Sequence, residues 1–268
     1  MLVFIASLRR ELRHLKALVR DPQTTLVDQA IVTRGTIEGQ QIALVQVGMG
    51  KGCAQKGAHT ALRLCRPAAV FAIGYAGGLT PDAMPGDLVM ATSVSLAGNP
   101  ASPSVSGPHP TLRLSPDEAL VGGCRTALDG LAMRVHRGPI LTVPQIANAA
   151  SKGSAARDTD ALALDMESYW IADVMVRSRV PFAVVRAISD RLRDEVPDFS
   201  KTLDPKGESK PLATALYFVT HPQQAGSAIR LRNSSERASR SLGRFASAYV
   251  HRAAGRMKAD DHAAPIHG

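Results

Sequence analysis

Short runs of Val, Ile, Leu and Ala alternate along this chain with longer segments of helical periodicity. Near-continuous apolar runs of this length are typical of strands buried on both faces of a sheet. The predicted strands are Leu2–Ala6, Gln41–Val47, Ala69–Ile73, Asp87–Ser95, Ala161–Leu164 and Phe182–Ile188. The predicted helices are Leu8–Val19, Lys51–Leu64, Ser168–Arg177 and Leu212–Val219, with later ones in an arginine-rich region. The alternation predicts an α/β fold, a three-layer sandwich whose central sheet, mainly parallel or mixed, is flanked by helices.

The length of 268 residues fits one large domain. We expect a single domain over residues 1–252, whose last part, about 211–252, is a helical C-terminal extension. Residues 253–268 are expected to form a disordered tail. Two polar or proline-rich stretches, Gly98–Pro110 and Arg191–Pro211, are expected to be loops.

The cysteines and the N-terminal run indicate the compartment. Cys53, Cys65 and Cys124 form no C-x-x-C pair, and no H-E-x-x-H motif occurs, so we expect no metal site and a reducing environment. The apolar run from Met1 to Ser7 is too short for a signal peptide or a membrane span. A cytoplasmic location is therefore expected.

The net charge of +9 is concentrated near the C-terminus, where Arg230–Arg256 contains seven arginines and one acid. There, Leu242, Phe245 and Tyr249 share one helical face, and arginines lie on another. One interpretation is a helix packed on its own domain with a solvated basic side. The alternative is peripheral contact with the anionic inner membrane surface. A third interpretation is nucleic-acid binding. The sequence contains no aromatic platform and no recognition helix, so no nucleic-acid partner is expected.

Two glycine-containing segments follow predicted strands. Gly48–Gly52 opens a helix, and its glycines allow positive φ and close approach of a ligand to the backbone. Gly74–Leu79 follows a buried strand, and small residues such as Ala76 and Gly77 would bring backbone N–H groups within reach of a sugar or base. Each segment alone is equally compatible with a plain turn.

Two acidic segments also follow predicted strands. Asp165–Ser168 contains Glu167, whose carboxylate could accept hydrogen bonds from both hydroxyls of a ribose, or could merely sit near a helix start. Val184–Asp190 ends in Asp190, an acid that beside a cleft can serve as a proton donor, although Ser-Asp also occurs in ordinary turns.

Taken together, these segments resemble the nucleoside phosphorylases and the methylthioadenosine/S-adenosylhomocysteine nucleosidases over about residues 1–191. The motifs that carry the resemblance are Ala76-Gly77-Gly78-Leu79, Pro85-Gly86-Asp87-Leu88-Val89, Asp165-Met166-Glu167-Ser168 and Val185-Arg186-Ala187-Ile188-Ser189-Asp190. The resemblance implies an α/β enzyme that cleaves the N-glycosidic bond of a purine nucleoside. It also implies a homo-oligomer and no cofactor, apart from inorganic phosphate as co-substrate if the enzyme is a phosphorylase.

The resemblance also implies roles for particular residues. Glu167 would bind the ribose hydroxyls, with Met166 packed against the sugar. Asp190 would protonate or hydrogen-bond ring nitrogen 7 of the purine, with Ser189 positioning it. Of the remaining site residues, Glu11 would activate water, Arg186 would help to hold the nucleophile, and Ile146 would border the base.

Two questions stay open at this stage. The nucleophile is either water activated by Glu11 or a phosphate bound by Arg9 or Arg10. Beyond residue 191 the chain resembles the hopanoid-associated phosphorylases, a branch thought to remove adenine from the membrane lipid adenosylhopane, which makes an adenosyl-lipid substrate one candidate. The competing candidates are methylthioadenosine, S-adenosylhomocysteine and adenosine.

Overall fold

The computed structural model describes residues 1–98, 112–195 and 225–263. The strands are β1 (Leu2–Ala6), β2 (Arg20–Val27), β3 (Ala30–Ile37), β4 (Gln40–Gln46), β5 (Ala69–Gly78), β6 (Leu88–Leu96), β7 (Arg113–Leu114), β8 (Val135–Thr142), β9 (Ala163–Asp165) and β10 (Phe182–Asp190). The helices are α1 (Arg9–Lys16), α2 (Gly50–Cys65), α3 (Glu118–Leu128), α4 (Ala149–Asp158), α5 (Ser168–Arg177) and α6 (Ala225–Ala263).

All the strands belong to one mixed sheet in the order β10-β6-β8-β9-β5-β1-β4-β3-β2, with β7 attached to β6. The four strands β4, β1, β5 and β10 run parallel to one another, so their carboxyl ends lie at one edge. β10 pairs with both β5 and β6, while β9 joins β8 to β5. These five strands therefore close into a ring, and the remaining strands extend from it as an open sheet.

Helices cover both faces of the sheet, which gives the three predicted layers. Alternate residues of β5 point to opposite sides: Val70 and Ala72 pack toward α2 and α5, while Phe71 and Ile73 pack toward α1, α3 and α6. This alternation is the two-residue period of a strand buried on both faces. A smaller apolar cluster lies under α4.

The long helix α6 packs on its own domain. Leu242, Phe245 and Val250 are fully buried, and Tyr249 lies against the ring of Phe71 with ring centroids 4.4 Å apart. The arginines Arg237 and Arg244 remain exposed on the other side. The first interpretation of the apolar stripe is therefore the one observed. α6 continues to Ala263. Residues 253–263, which were expected to belong to a disordered tail, are therefore helical.

The six predicted strands and the first three predicted helices are present, with boundaries shifted by a few residues and β5 extended to Gly78. The hairpin of β2 and β3, the strands β7 and β8, and the helices α3 and α4 were not predicted from the sequence. β2 is an exposed edge strand rich in polar residues, so it lacks the apolar signature of the others. The helix predicted at Leu212–Val219 and most of the two predicted loops lie outside the described residues.

Within the described residues, no helix is both long enough and apolar enough to cross a membrane.

Candidate active site

Glu11 reaches the carboxyl-end edge of the sheet from the first turn of α1, which follows β1. The side chain is 3% exposed, and its two oxygens accept hydrogen bonds from backbone N–H groups, Oε2 from Leu8 at 2.7 Å and Oε1 from Tyr75 at 2.8 Å. Burial raises the pKa of Glu11, although the nearby Arg186 guanidinium and the two N–H groups oppose that shift. A buried carboxyl with a raised pKa is suited to take a proton near neutral pH.

Arg186, from the middle of β10, is the cation beside Glu11, and it is only 1% exposed. Its Nε donates to Ser168 Oγ at 2.9 Å and lies 2.7 Å from Asp165 Oδ2 in a buried ion pair. Asp165 is fixed in turn by the Thr142 hydroxyl, which donates to Oδ1 at 2.8 Å. Two strands, β8 and β9, thus hold the guanidinium in place.

Gly74 explains how the sheet admits a buried arginine. A Cβ at this position would lie 2.1 Å from Arg186 Nη1 and 2.9 Å from Glu11 Oε1. Any side chain here would displace the guanidinium or the carboxylate. The missing side chain of Gly74, in the middle of β5, therefore makes room for these two groups to face each other.

Glu167 lies between β9 and α5 and is 6% exposed. Its Oε1 accepts a hydrogen bond of 2.7 Å from the backbone N–H of Gly50, the first residue of α2. Gly50 has a φ of +81°, a conformation that glycine adopts without strain. The glycine segment predicted to contact a ligand thus positions a side chain of the site.

The charge state of Glu167 is sensitive to its surroundings. Burial raises the pKa of Glu167 to about 7, Arg186 lowers it, and the neighbouring carboxylates of Asp165 and Glu11 raise it. Glu11, Asp165, Glu167 and Arg186 are therefore close enough to influence one another. We call these four residues the Arg186 cluster.

Asp190 ends β10 beside the backbone of Gly77 on β5, with which it is paired in the sheet. It is 8% exposed; its Oδ1 accepts from the Ser189 hydroxyl at 2.7 Å, and its Oδ2 accepts from Lys152 Nζ, also at 2.7 Å. Gly77 also pairs with Leu164, three residues before Glu167. Asp190 and the segment that carries Glu167 thus flank the same stretch of β5.

The remaining predicted residues lie around these groups. The Ala76 carbonyl accepts from the Ser189 hydroxyl at 3.3 Å, and a Cβ on Gly77 would lie 3.0 Å from Asp190 Oδ2. Met166 is half-buried next to Glu167, and Ile146 is half-buried in the segment between β8 and α4. The structure does not bring Arg9 and Arg10 inward, because both are exposed on α1.

Two polar atoms near Glu11 are buried but have no hydrogen-bond partner in the described part of the chain: the Ser7 hydroxyl, directly after β1, and Nη2 of Arg186. Buried polar groups are nearly always satisfied, so such exceptions call for an explanation, for which a substrate atom or a water molecule is the usual one. They add polar surface to the Arg186 cluster and its border.

Tyr75 and Lys152 are neighbours of the site whose roles the sequence did not reveal. The backbone N–H of Tyr75 donates to Glu11, while its side chain packs against the apolar cluster that includes Leu242 and Phe245 of α6. Lys152 comes from α4, a helix that the sequence analysis missed. Its one signal in the sequence is a single lysine within a run of small residues.

No group of three or more His, Cys, Asp or Glu side chains is arranged to hold a metal ion within the residues that the structure describes. The site instead contains buried carboxylates. Asp190 pairs with Lys152, whereas the other carboxylates share the guanidinium of Arg186. Such a site can take a proton at one end and give one at the other.

The fold and these buried carboxylates are typical of an α/β enzyme whose site lies at the carboxyl ends of its strands. Residues 2–216 match the family model described as the Phosphorylase superfamily, and the chain belongs to that family. It is accordingly an enzyme of the nucleoside phosphorylase or N-ribosyl hydrolase type.

Relatives of known activity agree with this assignment. The chain is 30% identical over 195 residues to a 5′-methylthioadenosine/S-adenosylhomocysteine nucleosidase of Haemophilus influenzae (strain 86-028NP), which covers 69% of this chain and 84% of that protein. In fold, it is similar to the corresponding nucleosidase of Neisseria meningitidis in complex with methylthio-immucillin-A, with a TM-score of 0.73 and 18% identity over 93% of this chain and 97% of that one. It is equally similar to the futalosine hydrolase of Helicobacter pylori strain 26695, with a TM-score of 0.73 and 16% identity over 94% and 97% of the two chains.

Proposed function

We propose that this protein hydrolyses the N-glycosidic bond of an adenine nucleoside, with water as the nucleophile. The observation that carries the proposal is the placement of three buried carboxylates, Glu11, Glu167 and Asp190, around the carboxyl end of β5. The relatives named above act on nucleosides or nucleoside-like compounds and support the same class of substrate.

In this proposal the sugar binds beside Glu167. The Gly50 N–H fixes one carboxylate oxygen of Glu167, which orients the group to accept hydrogen bonds from two ribose hydroxyls. Burial raises the pKa of Glu167 to about 7. Because the ribose hydroxyls hydrogen-bond to the charged carboxylate, substrate binding lowers this pKa again. Met166, half-buried next to Glu167, packs against the sugar ring.

Bond cleavage uses the two other carboxylates. As the bond between C1′ of the ribose and the base breaks, its electron pair passes to the base, whose ring nitrogen 7 takes the proton of the Asp190 carboxylic acid; the carboxylate that remains is paired with the Lys152 ammonium group. The sugar then has oxocarbenium character, and a water molecule attacks C1′ while Glu11 accepts its proton. Glu11 is suited to this step because burial raises its pKa and Arg186 stabilises its charged form.

Phosphorolysis is the second candidate mechanism, since the family contains phosphorylases by name. The arginines expected to bind phosphate, Arg9 and Arg10, are exposed on α1, whereas the buried acid of the same helix, Glu11, lies beside Arg186. A buried carboxylate at the nucleophile position would repel a phosphate dianion but would attract the proton of a water molecule. The geometry therefore favours water.

Product analysis tests the proposal. Purified enzyme is incubated with adenosine, methylthioadenosine and S-adenosylhomocysteine, with and without inorganic phosphate, and adenine and the sugar product are measured. Hydrolysis predicts adenine and the free sugar at rates independent of phosphate. A sugar 1-phosphate formed only with phosphate would establish phosphorolysis, and no adenine from any nucleoside, lipid-linked or free, would refute the proposal.

We further propose an adenosyl lipid as a substrate candidate, supported by the exposed basic side of α6. Arg237, Arg240 and Arg244 are exposed there, and α1 beside it carries Arg10 and Arg13. Part of this charge is offset, because Glu236 accepts a hydrogen bond from Arg13 and lies 3.4 Å from Arg240. Since the apolar side of α6 is packed in its own domain, membrane contact would depend on charge, at about 1 kcal/mol for each basic residue near an anionic surface.

Vesicle co-sedimentation tests this finer proposal. Deleting α6 would expose the core that Leu242 and Phe245 complete, so a charge-reversal variant, Arg237→Glu with Arg240→Glu and Arg244→Glu, is the appropriate comparison. The intact protein should sediment with vesicles containing anionic phospholipid at low salt, and the variant should not. Equal, negligible binding by both proteins would contradict membrane contact, and adenosylhopane in the substrate panel tests the lipid substrate itself.

A further inference from the structure

Lys152 is a fully buried lysine to which the proposed chemistry assigns no proton transfer. It lies in the first turns of α4 and is 0% exposed. Its aliphatic stem passes close to Gly77 of β5, where a Cβ would lie 3.3 Å from Lys152 Cδ. Burying an ammonium group is costly unless it is paired and fully hydrogen-bonded, so its partners indicate why it is there.

Each of the three protons of the ammonium group has an acceptor. Nζ donates to Asp190 Oδ2 at 2.7 Å, to the Arg191 carbonyl at 2.5 Å and to the Asp194 carbonyl at 2.8 Å. A lysine ammonium has three donors and no acceptor, so this set uses all of them. Lys152 therefore fastens α4 to the end of β10 and to the segment that follows it.

The contact also fixes the orientation of the Asp190 carboxyl group. One oxygen is held by Lys152 and the other by the Ser189 hydroxyl at 2.7 Å, so rotation about the last side-chain bond would break both contacts. A proton donor must be held at hydrogen-bond distance from the atom that receives the proton, and small misplacements lower the rate strongly. The same helix follows the segment that contains Ile146, the residue expected at the base.

We propose that Lys152 is a positioning residue for the departure of the base: it holds the Asp190 carboxyl group and the 191–194 segment in the arrangement needed for proton transfer. This inference rests on the proposed function. Lys152 acts through Asp190 and does not touch the substrate. Its removal therefore slows reactions in which the leaving group needs a proton and spares those in which it does not.

The experiment compares two substrates with different leaving groups. Adenosine needs protonation of its base, whereas 4-nitrophenyl β-ribofuranoside releases a stable phenolate without it. Lys152→Met should lower kcat for adenosine about 10²-fold, with a smaller change in KM, and should leave hydrolysis of the nitrophenyl riboside within about threefold of the unaltered enzyme. Lys152→Gln keeps a donor without the charge, so its loss on adenosine should be about tenfold.

Lys56→Met, at an exposed position on α2, is the matched control and should change the rate on neither substrate. Two outcomes would overturn the inference: equal losses on both substrates, or unchanged kinetics on adenosine. If Lys152→Met does not fold, Lys152→Gln carries the leaving-group test. Combining Lys152→Gln with Asp190→Asn should then give the rate of Asp190→Asn alone, because the lysine acts through that carboxyl group. Failure of the proposed function is recognised separately, since the unaltered enzyme would then release no adenine at all.

Discussion

The Arg186 cluster and the pair of Asp190 and Lys152, here called the base-side pair after the proposed role of Asp190, balance their charges in opposite ways. In the cluster, Glu11, Asp165 and Glu167 surround the single guanidinium of Arg186, and burial raises the pKa values of Glu11 and Glu167. In the base-side pair, one carboxylate faces one ammonium group at 2.7 Å. The cluster is thus short of positive charge, whereas the pair is balanced.

The difference matches what each end of a nucleoside requires. A sugar that acquires oxocarbenium character gains positive charge, which an excess of carboxylates stabilises. A departing base gains negative charge and needs a proton from a donor held in a fixed position. Lys152 and the Ser189 hydroxyl hold the Asp190 carboxyl group in such a position, and the ammonium group pairs with the carboxylate that remains once the proton has left.

Glu11→Gln should abolish most of the activity. The amide cannot accept a proton from water, so kcat should fall about 10³-fold on adenosine, and nearly as much on 4-nitrophenyl β-ribofuranoside, because both reactions need an activated nucleophile. Steady-state kinetics on the two substrates measures the effect. A loss of less than about tenfold on either substrate would remove Glu11 from the proposed role.

Glu167→Gln should lower kcat/KM on the order of a hundredfold, since the charged acceptor of the ribose hydroxyls is lost. In the unaltered enzyme, kcat/KM should rise with pH through about 7, because protonated Glu167 does not provide the charged acceptor. The variant should lose this part of the acid limb. If the acid limb near 7 persists in Glu167→Gln, another group is responsible for it.

Gly74→Ala should lower kcat by about tenfold to a hundredfold, because the added methyl group would lie 2.1 Å from Arg186 Nη1 and displace it from Glu11. Gly52→Ala is the matched control: it lies within α2, a Cβ there meets nothing within 4 Å, and it should have ordinary activity. Similar kinetics for the two variants would show that the contact between Arg186 and Glu11 does not matter.

The smallest predicted effect concerns stability. The folded-state pKa of Glu167, about 7, lies above its ordinary value of 4.5, so the folded protein binds more protons between these pH values. Its contribution to the free energy of unfolding therefore falls by about 3 kcal/mol as pH rises from 4.5 to 7 and stays low above that. Glu167→Gln should thus raise Tm by several degrees at pH 8 and lose this advantage near pH 4. Equal Tm values at pH 8 would contradict this assignment.

The sequence predicted the sheet better than its surroundings. Strands such as β5 and β10 carry long apolar runs that only a buried position explains, and the polar residues just beyond them marked the edge where the site lies. β2 and β8 escaped notice because they contain polar residues in place of such a run. Their pairing depends on contacts between distant segments, which local periodicity does not encode.

The site was predicted unevenly for the same reason. Glu11, Glu167 and Asp190 lie at or just beyond the ends of predicted strands, and Glu167 and Asp190 also belong to motifs, so their approximate location could be inferred from the sequence. Lys152 belongs to no motif, and its burial depends on carbonyl groups of a segment 39 and 42 residues away. The sequence also placed Arg9 and Arg10 as candidate phosphate ligands, but the turn of α1 that buries Glu11 exposes both.

The central claim is that two carboxylates act at opposite ends of the substrate. The activity of Asp190→Asn on the two substrates, which differ in their leaving groups, tests it most directly. The account predicts a loss of kcat on the order of a hundredfold with adenosine and almost none with 4-nitrophenyl β-ribofuranoside, while Glu11→Gln loses both activities. Equal losses of Asp190→Asn on both substrates, or full activity on adenosine, would show that Asp190 does not protonate the departing base.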